Sequence, residues 1–317
     1  MSDAERAGST PPPLFSVVVP AYNAAATLAE TLDGMLSQTF SDWECVVVDD
    51  GSTDATPAIA QGYCDRDGRF RLIRQANAGT AGAYRTGLEA AKADLLVICA
   101  ADDFLRPEHL AAMDKLIRDN PDYDIYSSNG EYLFQETLTR RGVYLEPKWQ
   151  VRRSLPLETV IADCFYSVGV VFRRSVLELT GGHRLGVYVD DYDLWLRAMV
   201  HGARHLYTPR ALSVHRISGF QQSADLARVF ASNIEVYENL LGDPAITTEI
   251  RIALEKSIER NREAIEEIPV AQVPEIPVVE TPEIPPRRPR TRMERFVRKV
   301  SRLAKPLRRL LARMRAR

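Results

Sequence analysis

The sequence predicts an α/β protein built on an open, largely parallel sheet, and three observations carry that expectation. Short apolar runs alternate with helical patterns over the first 118 residues, which argues for parallel strands joined by right-handed helical crossovers. Several of these runs stop abruptly in acidic or turn residues. In such sheets those stops form the edge where ligands bind.

The elements follow in order. Phe15-Ser16-Val17-Val18-Val19 reads as a buried strand that ends at Pro20, and Ala24 to Leu36 as a helix with Leu28, Leu32, Met35 and Leu36 on one face. Cys45 to Val48 is a second strand running into Asp49-Asp50-Gly51-Ser52, and a helix follows Asp54, whose carboxylate suits a cap. Phe70 to Ile73, Thr80 to Ala91 and Leu95 to Cys99 continue as strand, helix and strand, the last ending in Ala100-Ala101-Asp102-Asp103. Apolar segments at Ile125–Ser127, Val160–Ala162 and Val168–Phe172 read as mixed strands and loops completing the sheet. Helices are expected at Asp190–Val200, Leu226–Leu241 and Ile250–Ile265.

Composition bounds the rest. The 317 residues are 26% charged and 45% hydrophobic, ordinary for a soluble globular chain. No apolar run approaches the ~18–20 residues that span a bilayer. The polar stretch Met1 to Pro13 lacks the apolar core of a secretory signal and is expected to be disordered. Four widely spaced cysteines (Cys45, Cys64, Cys99, Cys164) suit neither a disulfide framework nor a zinc site, so they read as small buried hydrophobes in a reducing cytosol. Trp43 and Trp195 read as core, and Trp149 as the tryptophan best placed to meet an acceptor.

The acids at the strand ends carry the chemistry. Asp49-Asp50 and Asp102-Asp103 fall on one edge of the expected sheet, and clustered carboxylates repel unless a cation or donor compensates them. Oxygen ligands of this kind suit Mg²⁺ or Mn²⁺, with a diphosphate completing the shell. The alternative is that they form turns and cap helices. A third group, Asp190-Asp191-Tyr192-Asp193, follows Gly181-Gly182. One of its carboxylates either caps the next helix or acts as general base on a hydroxyl, and spacing does not choose.

Taken together, Ser16-Val-Val-Val-Pro-Ala-Tyr-Asn23, Val46-Val-Val-Asp-Asp-Gly-Ser-Thr-Asp54, Asn77-Ala-Gly79, Ala100-Ala-Asp-Asp103 and Asp190-Asp-Tyr-Asp-Leu-Trp-Leu-Arg197 resemble the family 2 nucleotide-sugar glycosyltransferases. The resemblance covers roughly residues 14–220. It implies a GT-A fold, which is a Rossmann-like open mixed sheet flanked by helices. It also implies a nucleotide-diphosphate sugar donor, a divalent metal and inversion at the anomeric carbon. By position, it places Pro20, Ala21 and Tyr22 around the base, gives Asp50 a base hydrogen bond, and puts Asn23, Ser52, Asn77, Gly79 and Arg85 in the donor site. Asp102 falls to metal and diphosphate with Asp103 beside it, and Asp191 to the general base. Three positions depart from the family pattern: Ala100 replaces the first acid of Asp-x-Asp, Tyr84-Arg85 replaces Arg-Asn, and His215-Arg216 reverses a common order. His215 is either a metal or diphosphate contact or a hydrogen-bonded structural histidine.

The C-terminal part has a different character. Residues 287–317 hold 14 Lys/Arg and one acid, a net +13, leaving 27 basic and 42 acidic residues, a net −15, in residues 1–286. The expected organisation is a catalytic domain at 14–220, a helical extension at 221–267, a linker at 268–290 rich in proline, and a basic amphipathic helix at 291–317. Within the linker and its end, seven prolines between 269 and 289 imply an extended spacer. In the tail, Met293, Phe296, Val297, Val300, Leu303, Ala304, Leu307, Leu310, Leu311 and Met314 form one apolar stripe, with a kink expected at Pro306. Cations around such a stripe suit an anionic membrane surface better than a nucleic acid, and no nucleic-acid partner is expected. The expected function is an inverting glycosyltransferase at the inner face of the membrane, acting on a lipid-linked or cell-envelope glycan. The rivals are a non-catalytic nucleotide-sugar scaffold and a nucleotidyltransferase.

Overall fold

The computed structural model describes residues 11–134, 139–143, 153–163, 168–217 and 225–268. Residues 1–10, Trp149, Cys164, the linker from 269 and the basic helix at 291–317 lie outside the described residues. The chain divides into two units, Met1–Ile268 and Pro269–Arg317, and every described element belongs to the first.

The elements run β1 (Phe15–Ala21), α1 (Leu28–Leu36), β2 (Trp43–Asp49), α2 (Thr56–Arg66), β3 (Phe70–Arg74), α3 (Gly79–Ala90), β4 (Leu95–Ile98), β5 (Phe104–Leu105), α4 (His109–Asp119), β6 (Ile125–Phe134), β7 (Thr139–Val143), β8 (Arg153–Leu155), α5 (Leu157–Asp163), β9 (Val171–Arg173), α6 (Ser175–Thr180), α7 (Asp190–Val200), β10 (His205–Ile217), α8 (Leu226–Leu241) and α9 (Thr248–Glu266). One mixed sheet orders them β3-β2-β1-β4-β9-β6-β10-β5, with β7 on β6 and β8 on β10. The four opening strands are parallel, as the alternation predicts: Val18 faces Val46 on one side and Ile98 on the other.

Both faces of the sheet are covered, which is why its strands read as unbroken apolar runs. Val17, Val19, Cys45, Val47 and Val97 pack with α1, α2 and α4 through Leu28, Leu32, Ala60, Leu110 and Met113. Val18, Leu96, Ile98 and Phe172 pack on the opposite face with Leu88, Leu194, Trp195 and Leu196. α3 lies close against this second face because Gly87 carries no side chain: a Cβ there would sit 2.3 Å from Val18 Cγ1 and 3.0 Å from Val48 Cγ2. The helical extension shares that core, since Val236, Tyr237, Leu240, Leu254 and Ile258 belong to the same cluster as Trp195.

Differences from the sequence reading fall where local signals are weak. α1 starts at Leu28, after a turn in which Thr27 and Leu28 N–H both bond to Ala24 O. The segment around Val160–Ala162 is helix α5, a piece too short for periodicity to separate it from a strand. The long strand β10 has no counterpart among the sequence expectations. It contains Pro209, and its register against β6 slips between Thr208, Ala211 and Ser213, the kind of irregularity that admits proline inside a sheet. Trp43 and Trp195 are buried, as expected, and Cys45, Cys64 and Cys99 are free thiols. No helix among the described residues is long and apolar enough to cross a membrane.

Candidate active site

The parallel strands β1, β2 and β4 finish on one edge, so the β1–α1, β2–α2 and β4–β5 loops are neighbours. Pro20 and Ala21 end β1, Tyr22 is 53% exposed, and Asn23 takes a left-handed φ of 48°. Asn23 and Ser52 lace the first two loops together. Asn23 N donates to Ser52 Oγ at 2.9 Å, and Thr53 N donates to Asn23 Oδ1 at 2.9 Å. Asp54 adds to the lacing by accepting from Ala25 N and from Thr56 N, the first residue of α2.

At the end of β2 both acids are engaged by the protein. Buried Asp49 accepts from Ser52 N and Arg74 Nε, each at 3.1 Å. Asp50 Oδ1 accepts from Gln75 Nε2 at 2.7 Å and Ala78 N at 2.8 Å, and Oδ2 accepts from Gly79 N at 2.9 Å. Asp50 therefore fixes the loop that opens α3. Gly51 permits this: its φ is 78°, and a Cβ would lie 2.9 Å from Asn77 N. Asn77, Gly79 and Arg85 are exposed along α3 and the loop before it.

The end of β4 is arranged differently. Asp103 is buried, accepting from Arg216 N at 2.8 Å and lying 3.2 Å from His215 Nδ1. Among the described residues, no donor from another residue reaches the Asp102 carboxylate. Burial and the neighbouring Asp103 push it up to about 6. The Asp102 carbonyl instead accepts from Arg216 Nε, and Arg216 also pairs with Glu30 of α1, which ties this loop to two elements. The Asp103 and Asp102 charges raise His215 above its ordinary value against the opposing pull of burial. Ala100, in place of an acid, is half-buried beside them.

The third acidic group opens α7. None of its carboxylates caps the helix, whose cap residue is Val189. Asp190 and Asp191 differ in partners. Asp190 Oδ2 lies 2.9 Å from His183 Nδ1, whereas among the described residues Asp191 accepts from the adjacent Tyr192 N alone, at 2.7 Å. Burial and Asp190 push the Asp191 carboxyl up to about 6, against the opposing pull of His183. Asp193 is consumed by Arg197 at 2.8 Å.

The charges of these groups act on one another across elements. Tyr84 on α3 is raised by burial and then by the charges of Asp190, Asp191 and Asp103. His215 is raised by Asp103, Asp102 and Asp191. Asp103 and Asp191 therefore act on both Tyr84 and His215, and Asp102 acts on His215. Asp50 connects to them through α3, with no hydrogen bond or ion pair to any of them. No group of three or more His, Cys, Asp or Glu among the described residues could hold a metal ion by itself. Sequence reasoning missed His183, Gln75 and the Glu30–Arg216 tie, because residues brought together only by loop geometry leave no spacing signal.

The sequence model of Glycosyl transferase family 2 matches residues 16–180. The chain is 33% identical over 143 residues to the uncharacterized glycosyltransferase EpsJ of Bacillus subtilis, covering 45% of this chain and 40% of that protein. It is 28% identical over 241 residues to the putative glycosyltransferase EpsH of the same organism, covering 71% of this chain and 67% of that one. Among solved structures, it resembles Staphylococcus aureus TarS 1–349 in complex with UDP-GlcNAc, with a TM-score of 0.66 at 18% identity over 78% of this chain and 72% of that one. It also resembles the mannosyltransferase PcManGT of Pyrobaculum calidifontis in complex with GDP-Man and Mn²⁺, with a TM-score of 0.60 at 21% identity over 83% of this chain and 77% of that one. These likenesses establish the GT-A fold.

Proposed function

The chain belongs to glycosyl transferase family 2, and we propose that it transfers a sugar from a nucleotide-diphosphate donor to a hydroxyl acceptor with inversion. The observation that carries this reading is a pair of carboxylates that few donors reach among the described residues, none for Asp102 and Tyr192 N for Asp191, and whose charges both act on His215.

Each residue's part follows from its position. Exposed Tyr22 offers an aromatic face to the base, while Pro20, Ala21 and the Asn23–Ser52 lacing shape the floor beneath it. Asp50 sets the Asn77–Gly79 loop and retains acceptor capacity on Oδ2 toward the base. Arg85 is exposed where it can meet the donor. The donor set fits Mg²⁺ or Mn²⁺, because no donor from another described residue compensates the Asp102 carboxylate. His215 keeps Nε2 for such a cation or the diphosphate, while Asp103 orients its ring. A bound metal would neutralise charge developing on the departing diphosphate. Asp191 takes the proton of the attacking hydroxyl, and its raised carboxyl suits it to hold that proton near neutral pH.

UDP-GlcNAc and GDP-Man, bound by the two structural neighbours, are the first donors to try. We assign the acceptor to a lipid-linked or envelope glycan, and the site of action to the inner membrane face, from the basic amphipathic sequence at 291–317. Removing residues 287–317 should release the protein from anionic vesicles, and unchanged co-sedimentation defeats that assignment. A non-catalytic nucleotide-sugar scaffold is favoured by one observation alone, Ala100 at the first acid of the Asp-x-Asp position. The test is thermal stabilisation by UDP-, GDP- and dTDP-sugars with and without Mn²⁺, followed by turnover of the best ligand. Metal-dependent stabilisation with turnover supports the enzyme; stabilisation without turnover supports the scaffold.

A further inference from the structure

We propose that His183 is a positioning residue that divides the two adjacent carboxylates of α7, engaging Asp190 so that Asp191 is left to accept the proton. This role rests on the reading of Asp191 as the base.

The geometry is built rather than incidental. His183 is buried, its Nδ1 lies 2.9 Å from Asp190 Oδ2, and its ring stacks on Tyr84 of α3 with centroids 4.9 Å apart and planes 16° from parallel. A carboxylate accepts only, so the imidazole proton between them belongs on Nδ1. His183 Nε2 is buried without a hydrogen-bond partner among the described residues, so Asp190 is the one described side chain to which the ring hydrogen-bonds. The turn carrying His183 is tied to the same helix, because Arg197 donates to Thr180 O at 2.7 Å and to Gly182 O at 2.8 Å while holding Asp193. Asp190, Asp191 and His183 are therefore tied to one another through α7, and His183 is tied to α3 by the Tyr84 stack.

The consequence is a division of labour between chemically identical neighbours. Two adjacent carboxylates with no other partner would share a proton and compete for any hydroxyl placed before them. His183 removes Asp190 from that competition. The titratable groups electrically coupled to Asp191 are Asp190 and His183 near it in sequence, Tyr84 of α3, and His215 of β10, which Asp102 and Asp103 also influence. Of these, His183 draws the Asp191 carboxyl down and Asp190 drives it up.

The test compares His183→Phe, which keeps the stack but loses the donor, with His183→Asn, whose amide Nδ2 replaces Nδ1. Two readouts are taken: hydrolysis of whichever nucleotide sugar the intact protein turns over, and ¹³C NMR titration of the Asp191 carboxyl, assigned with Asp191→Asn. The Phe variant should raise the Asp191 midpoint by about one pH unit and lower kcat about tenfold at neutral pH, with donor KM within about twofold. The Asn variant should recover most of kcat, with an intermediate midpoint. An Asp191 midpoint unchanged in the Phe variant overturns the proposal. So does equal loss of kcat, KM and melting temperature in both variants, which marks His183 as packing alone. Full turnover by Asp191→Asn retires the base reading itself and this role with it, whatever the titration shows.

Discussion

The two Asp-Asp pairs at the sheet edge have the same sequence and opposite environments. At the end of β2, Asp49 and Asp50 accept five donors between them and hold loops in place. At the end of β4, Asp103 is engaged, but Asp102 is reached by no donor from another described residue and is pushed up to about 6. α7 repeats the contrast, with Asp190 on His183 and Asp191 nearly bare. A satisfied carboxylate organises backbone. One that burial and a like charge have made uncomfortable is available for a cation or a proton. Residue type alone does not separate these roles; the count of donors does.

Substitutions can break the comparison. Asp191→Asn should have the largest effect, a loss of about 10³-fold in turnover with donor binding retained, checked by steady-state kinetics beside calorimetry. Asp50→Ala should act on folding instead. Stripping the acceptor from Gln75, Ala78 and Gly79 should cost about 2 kcal/mol, read from denaturant unfolding.

Stability against pH sharpens the same point. Folding raises the Asp191 carboxyl from 3.8 to about 6, so the folded state binds more protons across that window. Its contribution is full below the unfolded value and is lost as pH rises through the folded one. Asp191→Asn should therefore flatten the stability profile between those values and gain about 1–2 kcal/mol at pH 7. Asp102→Asn should give the smallest change in stability, a gain of about 1 kcal/mol from removing a charge beside Asp103, while abolishing any metal-dependent nucleotide binding. Loss of stability in either variant would place these acids with Asp50.

How legible this was depended on how local the signal is. β1 to β4 and their helices could be read because each strand is buried on both faces and each ends in a turn. α7 and α8 fell on their expected spans for a similar reason, since an apolar stripe at helical spacing is written within one segment. β10 was hidden by Pro209 and a shifted register, and α5 by its length. Within the candidate site, the sequence singled out the acids, but not which of them the protein's own donors engage. Donors such as Gln75, Gly79 N and His183 reach them through loops whose course no periodicity encodes. The family model likewise ends before α7 and reaches neither Asp191 nor His215.

The most direct measurement is a structure of the protein with Mn²⁺ and the nucleoside diphosphate that most raises its melting temperature. The account predicts the cation on Asp102, the diphosphate beside His215, and the terminal phosphate directed into the space before Asp191. A diphosphate bound away from Asp102, or one that leaves Asp191 on a separate surface, would contradict it.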